Sequence, residues 1–514
     1  MVLRKLLVST LLSALPLLAA AGDLADMIRR GDREAALAAI QGGADVNQLQ
    51  QDGSSPLLWA VHRVDHDLVR TLLQRGAKPD VRNTLGATPL CEAVTIADTA
   101  MVEVLLKSGA DPNLGNQDGQ TPLMIAARNG SVPILQALVK AGARVNAAEQ
   151  YRGQTALMWA IAAGSPEAVD FLIRHKADVE ARAAANDWGN QITSEPRAQY
   201  RPAGGMTPLL YATRFGCLDC ARSLLKAGAQ VNRPTPEGVT PLMNAIDNNN
   251  YDIANLLLDH GANPHLFDWW GRTALYLTAD MRTRGGGRGG PAEFRSSEGA
   301  APRRPPAAAL QLMQRLLEMG VDPNPQLDMH RPFRGRFADD LMTTGCTPLL
   351  RAALSVDREV VELLLKHGAL PDLPNVMGVT PLMAAAGVGA SRGAVVSQGP
   401  IAGSDPEANA IAVIDLLIKA GADVNARITD TSSRTAVIAR PSSMTDRQGQ
   451  TALFGAVGQK WTRVARYLID NGARLDVKDD KGRTLIDALA GKAGGRDDPS
   501  SEEMAKLIRS AAGA

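Results

Sequence analysis

The chain has 514 residues, 45% of them hydrophobic and 21% charged, with 55 Lys and Arg against 54 Asp and Glu. The formal charge is +1 with no long block of one sign, which argues against nucleic acid as a partner, because phosphate binding draws on a basic stripe. Length alone predicts several domains, but internal repetition overrides that expectation, since repeat units contact only their neighbours along one array.

The N-terminus carries Arg4-Lys5, an apolar run from Leu6 to Leu18, then Ala19-Ala20-Ala21-Gly22. Basic, apolar, small is the order of a secretory signal peptide. The run is short for a membrane span. Cleavage after Ala21 is expected, with Gly22 as the alternative, so residues 1–21 are read as a signal peptide. A soluble periplasmic or secreted chain with no membrane span is expected after cleavage.

Residues 22–51 form a shortened first unit with charged outer positions, as a terminal cap needs for solubility. Regular units cover 52–186. The unit from Asp118 to Gln150 shows the pattern. Asp118-Gly119 is a tight-turn dipeptide. Thr121 sits where a helix N-cap belongs, and Pro122 occupies the first helical position, where a missing N–H costs nothing. Leu123, Ile125, Ala126 and Ala127 make a short first helix that Asn129-Gly130 ends. Ile134, Leu135, Leu138 and Val139 form the apolar stripe of a second helix. Gly142 is the expected left-handed residue after it.

One such helix pair cannot bury its own apolar faces and needs a copy on either side. Measured by the cap residue, Ser55, Thr88 and Thr121 lie 33 apart, as do Thr207, Thr240 and Thr273, then Thr347 and Thr380, then Thr451 and Thr484. Thr121 to Thr155 is 34.

With SPLLWA at 55–60, TPLCEA at 88–93, TPLMIA at 121–126, TALMWA at 155–160 and TPLLYA at 207–212, the chain resembles an ankyrin-repeat protein. The likeness continues through 240–245, 347–352, 380–385 and 451–456, with Gly-Ala ends such as 142–143 and 261–262, and covers nearly everything after residue 22. It resembles exported bacterial members. The resemblance implies an all-α solenoid of helix pairs with short β-turn fingers, about 11–12 repeats including caps. One departure is the absence of the family's usual His after Leu: Leu58, Cys91, Met124, Met158, Leu210 or Met243 stands there. That removes an inter-repeat hydrogen bond and predicts lower local rigidity.

Five insertions interrupt the pattern, at 187–204, 281–306, 327–344, 391–408 and 428–446. The second is rich in Arg, Gly and Pro and is expected to be disordered. Repeats occupy 205–280, 345–390 and 447–479. Segments 307–326 and 409–427 are read as the second helices of split repeats, and 480–514 as the C-terminal cap. Three insertions, near residues 190, 335 and 437, fall at fingers and are expected to shape a groove.

No catalytic motif is present: no G-x-S-x-G, no H-E-x-x-H and no G-x-x-x-x-G-K-[ST]. Cys91 reads as a core residue. Cys217-Leu-Asp-Cys220 lacks further zinc ligands, and either a local disulfide or two ordinary turn residues fits it. His175, His260 and His367 fall at second-helix ends, where a cation suits the macrodipole. His62 and His66 straddle an expected turn, so no metal site is expected. No cofactor is expected either.

In ankyrin-like arrays partners meet the fingers and the exposed ends of first helices. The resemblance places Gln117, Asp118, Arg128, Asn129, Tyr151, Arg152, Gln154, Arg214, Phe215, Asp247, Asn248, Trp269, Trp270 and Arg272 there. Trp, Tyr and Arg are typical hot-spot residues. Trp59 and Trp159 occupy a helix position expected to be core. The reading is a monomeric, non-catalytic scaffold that holds a partner protein in a concave groove. The alternatives are an accessory or chaperone-like factor for a periplasmic redox enzyme using Cys217 and Cys220, or a secreted effector that binds host proteins.

Overall fold

The structure is a computed structural model that describes residues 23–187, 202–283, 306–328, 344–388, 405–429, 447–490 and 499–513. The signal-peptide segment and most of each insertion lie outside the described residues. The chain divides into two compact units, Met1–Asp178 and Val179–Ala514.

The first unit stacks five helix pairs: Leu24–Arg30 with Arg33–Gln41, Pro56–His62 with His66–Gln74, Pro89–Thr95 with Thr99–Lys107, Pro122–Arg128 with Val132–Lys140, and Ala156–Ala162 with Pro166–Arg174. Successive first helices pack on one another. Leu57, Leu90, Leu123 and Leu157 fill the seams, each at most 1% exposed, and burying one such side chain contributes about 1.5–3 kcal/mol.

The second unit contains seven described pairs, from Pro208–Phe215 with Leu218–Lys226 to Leu485–Ala490 with Pro499–Ala512. Two pairs span insertions. Ala274–Thr283 packs with Pro306–Glu318, and Pro381–Ala385 with Pro406–Lys419. The latter helix begins inside the insertion assigned to 391–408. The Asp405 carboxylate accepts the amides of Glu407 and Ala408 at 3.1 and 3.2 Å, and Pro406 starts the first turn. The flanks of the 187–204 insertion pair as a two-stranded antiparallel ribbon, Ala185–Asp187 with Pro202–Gly204.

The cap ruler is physical. Ser55, Thr88, Thr207, Thr240 and Thr347 each accept the amide three residues on, at 3.0–3.4 Å. Thr155 and Thr451 make no such bond, whereas Thr273, which like them is followed by Ala, accepts the Tyr276 amide at 3.2 Å. The turn between helices needs one left-handed residue. Gly130, Gly164 and Gly216 supply it in some repeats, but Val64, Ala97 and Val356 hold φ of 57°, 58° and 48° in others.

Between repeats, one side chain acts as a clamp. Asn113 donates from Nδ2 to the Gly142 carbonyl at 3.1 Å and accepts the Arg144 amide on Oδ1 at 2.7 Å. Asn47, Asn146, Asn232, Asn324 and Asn425 repeat both bonds. Asp80 keeps only the accepting half, from the Asp111 amide at 2.9 Å. The positions that replace the family's usual His are buried: Leu58, Cys91, Met124, Met158, Leu210 and Met243 are 0–6% exposed, and the Cys91 thiol donates to the Leu114 carbonyl at 3.6 Å. The Asn clamps bridge the repeats.

Candidate partner-binding surface

Several of the described fingers are closed by a side chain at the base. Asn116 Oδ1 accepts the amides of Asp118 and Gln120, each at 3.0 Å. Asn375, Asp268 and Asp479 close their own fingers in the same way. A closed turn holds its tip in one conformation, which lowers the ordering cost when a partner binds there.

The 34-residue spacing before Thr155 is one extra residue in a finger. Glu149, one methylene longer than Asn, closes the enlarged turn. Its carboxylate accepts the amides of Tyr151, Arg152 and Gln154 at 2.7, 2.8 and 3.0 Å, and Glu149 is 4% exposed. The enlarged finger presents Tyr151 at 75% exposure. Arg152 lies over the Tyr151 ring at 5.5 Å, and Arg128 over the Trp159 ring at 5.1 Å. Beside them opens a cleft of about 450 Å³, lined by Asp118, Gln120, Glu149, Tyr151, Arg152, Gln154 and Trp159.

In this unit the expected surface residues Gln117, Asp118, Arg128, Asn129, Tyr151 and Arg152 are exposed, and Gln154 is half-buried. Gln117 reaches back to the Thr84 carbonyl, and Asn129 donates to Val94 O at 2.9 Å. Trp59 and Trp159 are half-buried rather than core. Their position faces the preceding finger, not the next repeat, and Trp59 Nε1 donates to Gln50 Oε1 at 2.7 Å.

The second unit differs from expectation. Phe215 is 53% and Trp269 48% exposed, with Arg214 over Phe215 at 5.9 Å. Trp270 and Arg272, however, are 2% and 3% exposed. Arg272 Nε donates to Asp268 Oδ2 at 2.6 Å, and Nη1 to Asp247 Oδ2 at 3.1 Å. The guanidinium also lies 5.2 Å from the Trp270 ring centre. Burial opposes charge on Arg272, but Asp247 and Asp268 more than offset it, so it stays protonated. Burial pushes the Asp268 carboxyl up, and Arg272 pulls it back. Trp270 and Arg272 are therefore interior, and Asp247 and Asn248, both half-buried, are held by Arg272 and by the Asn244 carbonyl at 2.7 Å. A charged pair and an indole at a finger base pack against the repeat as well as they would contact a partner, and spacing alone does not separate the two outcomes.

Cys217 and Cys220 form a disulfide at the start of Leu218–Lys226, with Cys217 as N-cap. Cys91 and Cys346 are buried and not joined in a disulfide. His175, His260 and His367 cap second helices, and the Nδ1 atoms of His175 and His260 lie 2.8 Å from the carbonyls four residues back. His62 and His66 fall in different helices and pair with Glu92 and Asp98 at 2.7 and 2.8 Å. Among the described residues no group of three or more His, Cys, Asp or Glu could hold a metal ion. No helix among them is long and apolar enough to cross a membrane.

The family pattern described as "Ankyrin repeats (3 copies)" matches residues 24–116, 93–183 and 189–280, and that described as "Ankyrin repeat" matches 344–376, together more than half of the chain. The chain is an ankyrin-repeat protein. This ankyrin-repeat chain is 30% identical over 185 residues to the human mitochondrial disaggregase, covering 35% of the chain and 24% of that protein. It is 38% identical over 95 residues to human inversin, covering 18% and 8%. It is 28% identical over 296 residues to the putative palmitoyltransferase ZDHHC13 of Danio rerio, covering 57% and 34%. The chain thus spans only about a quarter of the disaggregase and less than a tenth of inversin. Among solved structures, the ankyrin repeat domain of Bcl-3 is similar at 27% identity and a TM-score of 0.38, covering 44% of this chain and 95% of that one. Ankyrin repeats of this kind suggest a protein–protein interaction scaffold.

Proposed function

We propose that this ankyrin-repeat protein is an exported, non-catalytic scaffold that holds a partner protein against its exposed finger tips and first-helix ends. One observation carries the reading. The enlarged finger presents Tyr151 and Arg152 to solvent on a turn that Glu149 holds closed with three hydrogen bonds. Arg and Tyr displayed on a rigid element are the chemistry of interface hot spots. Export rests on the order of Arg4-Lys5, apolar run and Ala19 to Gly22.

The test is affinity capture by the full chain from an extract of its source cells, alongside Tyr151→Ala/Arg152→Ala. One stoichiometric protein, retained by the wild type and lost by an equally stable variant, is the expected result. Equal retention by both would move the binding surface elsewhere. Intact mass of the purified native chain addresses export, since a product that still begins at Met1 would contradict cleavage.

A second reading has its own observation. The Cys217–Cys220 disulfide supports an accessory role beside a redox enzyme of the periplasm. Partner capture that changes with the oxidation state of this pair would favour it.

A further inference from the structure

The cleft beside Tyr151 has a chemical bias. In the finger before Trp59, Gln50 stands at the base, its amide bonded to the Ser54 carbonyl at 3.0 Å. Its side-chain oxygen accepts the Trp59 indole N–H at 2.7 Å. Glu149 stands at the equivalent base, its amide bonded to the Gln154 carbonyl at 3.0 Å. The extra residue of this finger redirects the side chain. Glu149 commits both carboxylate oxygens to three backbone amides. Trp159 occupies the same helix position as Trp59, yet its Nε1 is shielded from solvent and has no hydrogen-bond partner.

Arg152 lines this cleft, and Arg128 stands against the Trp159 ring that forms one wall. The Arg128 guanidinium lies over Trp159 and that of Arg152 over Tyr151. Both Arg residues are exposed, and among the described residues neither guanidinium has an ion pair or hydrogen bond. The ring faces a partner's cation would use are thus already occupied by the chain's own cations. What is missing is an acceptor of negative charge. Of the two carboxylates in the lining, Glu149 is fully engaged, and only Asp118, exposed at the rim, opposes an anion.

We propose that this cleft receives an acidic side chain, Asp or Glu, of the partner protein, pairing it with Arg128 and Arg152, and that the side chains shielding Trp159 Nε1 move aside as the carboxylate supplies the oxygen it lacks. The inference rests on the reading of the fingers as a partner-binding surface. The carboxylate plays for Trp159 the part that Gln50 plays for Trp59. Guanidinium groups that already rest over rings lose less freedom on pairing than free ones. The indole N–H is already stripped of water, so bonding it requires no further desolvation of the donor.

The experiment uses the full chain with 15N-labelled Trp indoles, titrated with Ac-Gly-Glu-Gly-NH2 and with the same peptide carrying Gln or Lys in the centre. The Trp159 resonance is assigned by its disappearance in Trp159→Phe. A saturable shift of that resonance is expected with the Glu peptide, at about tenfold lower concentration than with Gln. Arg128→Gln/Arg152→Gln should weaken binding by about tenfold or more, and Asp118→Asn should tighten it. These three sites are exposed, and circular dichroism is the check that the variants fold. No shift, an equal shift with the Lys peptide, or indifference to the Arg substitutions would overturn the proposal. A captured partner that survives alongside a silent peptide titration would sink the acidic cleft and leave the scaffold standing. Peptide binding with no capturable partner would do the reverse.

Discussion

Arg272 donates to the Asp268 carboxylate at 2.6 Å, and neither side chain reaches solvent, at 3% and 0% exposure. The pair closes the finger before Ala274–Thr283 from within, while Asp247 completes the set at 3.1 Å. Removing the cation leaves buried carboxylate charge without compensation. Arg272→Ala is expected to lower stability by about 3–5 kcal/mol. Urea unfolding monitored by far-UV circular dichroism checks this. A loss below about 1 kcal/mol, the range of an exposed ion pair, would mean that the pair is solvated.

The Asn clamps predict opposite effects at two neighbouring positions. Asn113→Ala removes both the bond to Gly142 and that from Arg144, and should cost about 1–3 kcal/mol. Asp80→Asn restores a donor that Asp80 lacks and should gain about 0.5–1 kcal/mol. Thermal unfolding of the two variants beside the wild type measures the difference. A destabilised Asp80→Asn would show that the carboxylate has a further role.

Val64 holds φ at 57° in an exposed turn, where its branched side chain is strained. Glycine takes the same turn position at Gly130 and Gly164. Val64→Gly is expected to raise stability by about 1 kcal/mol, the relief of strain exceeding the added freedom of the unfolded chain. A fall in the unfolding midpoint would mean that the valine contributes packing that outweighs its strain.

Thiol counting tests the cysteine assignment. Cys91 and Cys346 are buried, and burial pushes the Cys91 thiol up, so the native chain should react slowly with a thiol reagent. Denatured without reductant it should show the two free thiols, rising to four after reduction. Because the bridged loop is short, reduction should lower stability by only about 1–2 kcal/mol. Four thiols before reduction would contradict the disulfide.

Asp479 supplies a pH dependence. Burial works against its ionisation, but hydrogen bonds from Arg483 and Gln450 win and hold its pKa below the ordinary carboxylate value. A folded pKa below the unfolded one, about 3.9, contributes stability that is present above that value. That stability is lost as pH falls through the folded pKa. Asp479→Asn should therefore lower stability near neutrality by about 1 kcal/mol and shrink the further loss on acidification below about pH 4. An unchanged acid limb would place the acid sensitivity in other carboxylates.

Much of this protein could be read from its residues in order. Cap Thr, first-turn Pro and the closing Gly act locally, within one turn of helix, so spacing alone determined the period and the helix pairs. The exposed Arg128, Tyr151 and Arg152 were legible for the same reason, since the repeat assigns each position a face. Tertiary structure decided the rest. Trp269 and Trp270 are adjacent in sequence, yet one is 48% and the other 2% exposed, because the repeat covers Trp270 and Arg272 beneath the finger. Trp59 and Trp159 share one helix position, yet only Trp59 finds an acceptor, because a single extra residue commits Glu149 to its own turn. Local signals specify which element forms. Which polar groups remain unpaired depends on contacts between elements, and it is those groups that are left to meet a partner.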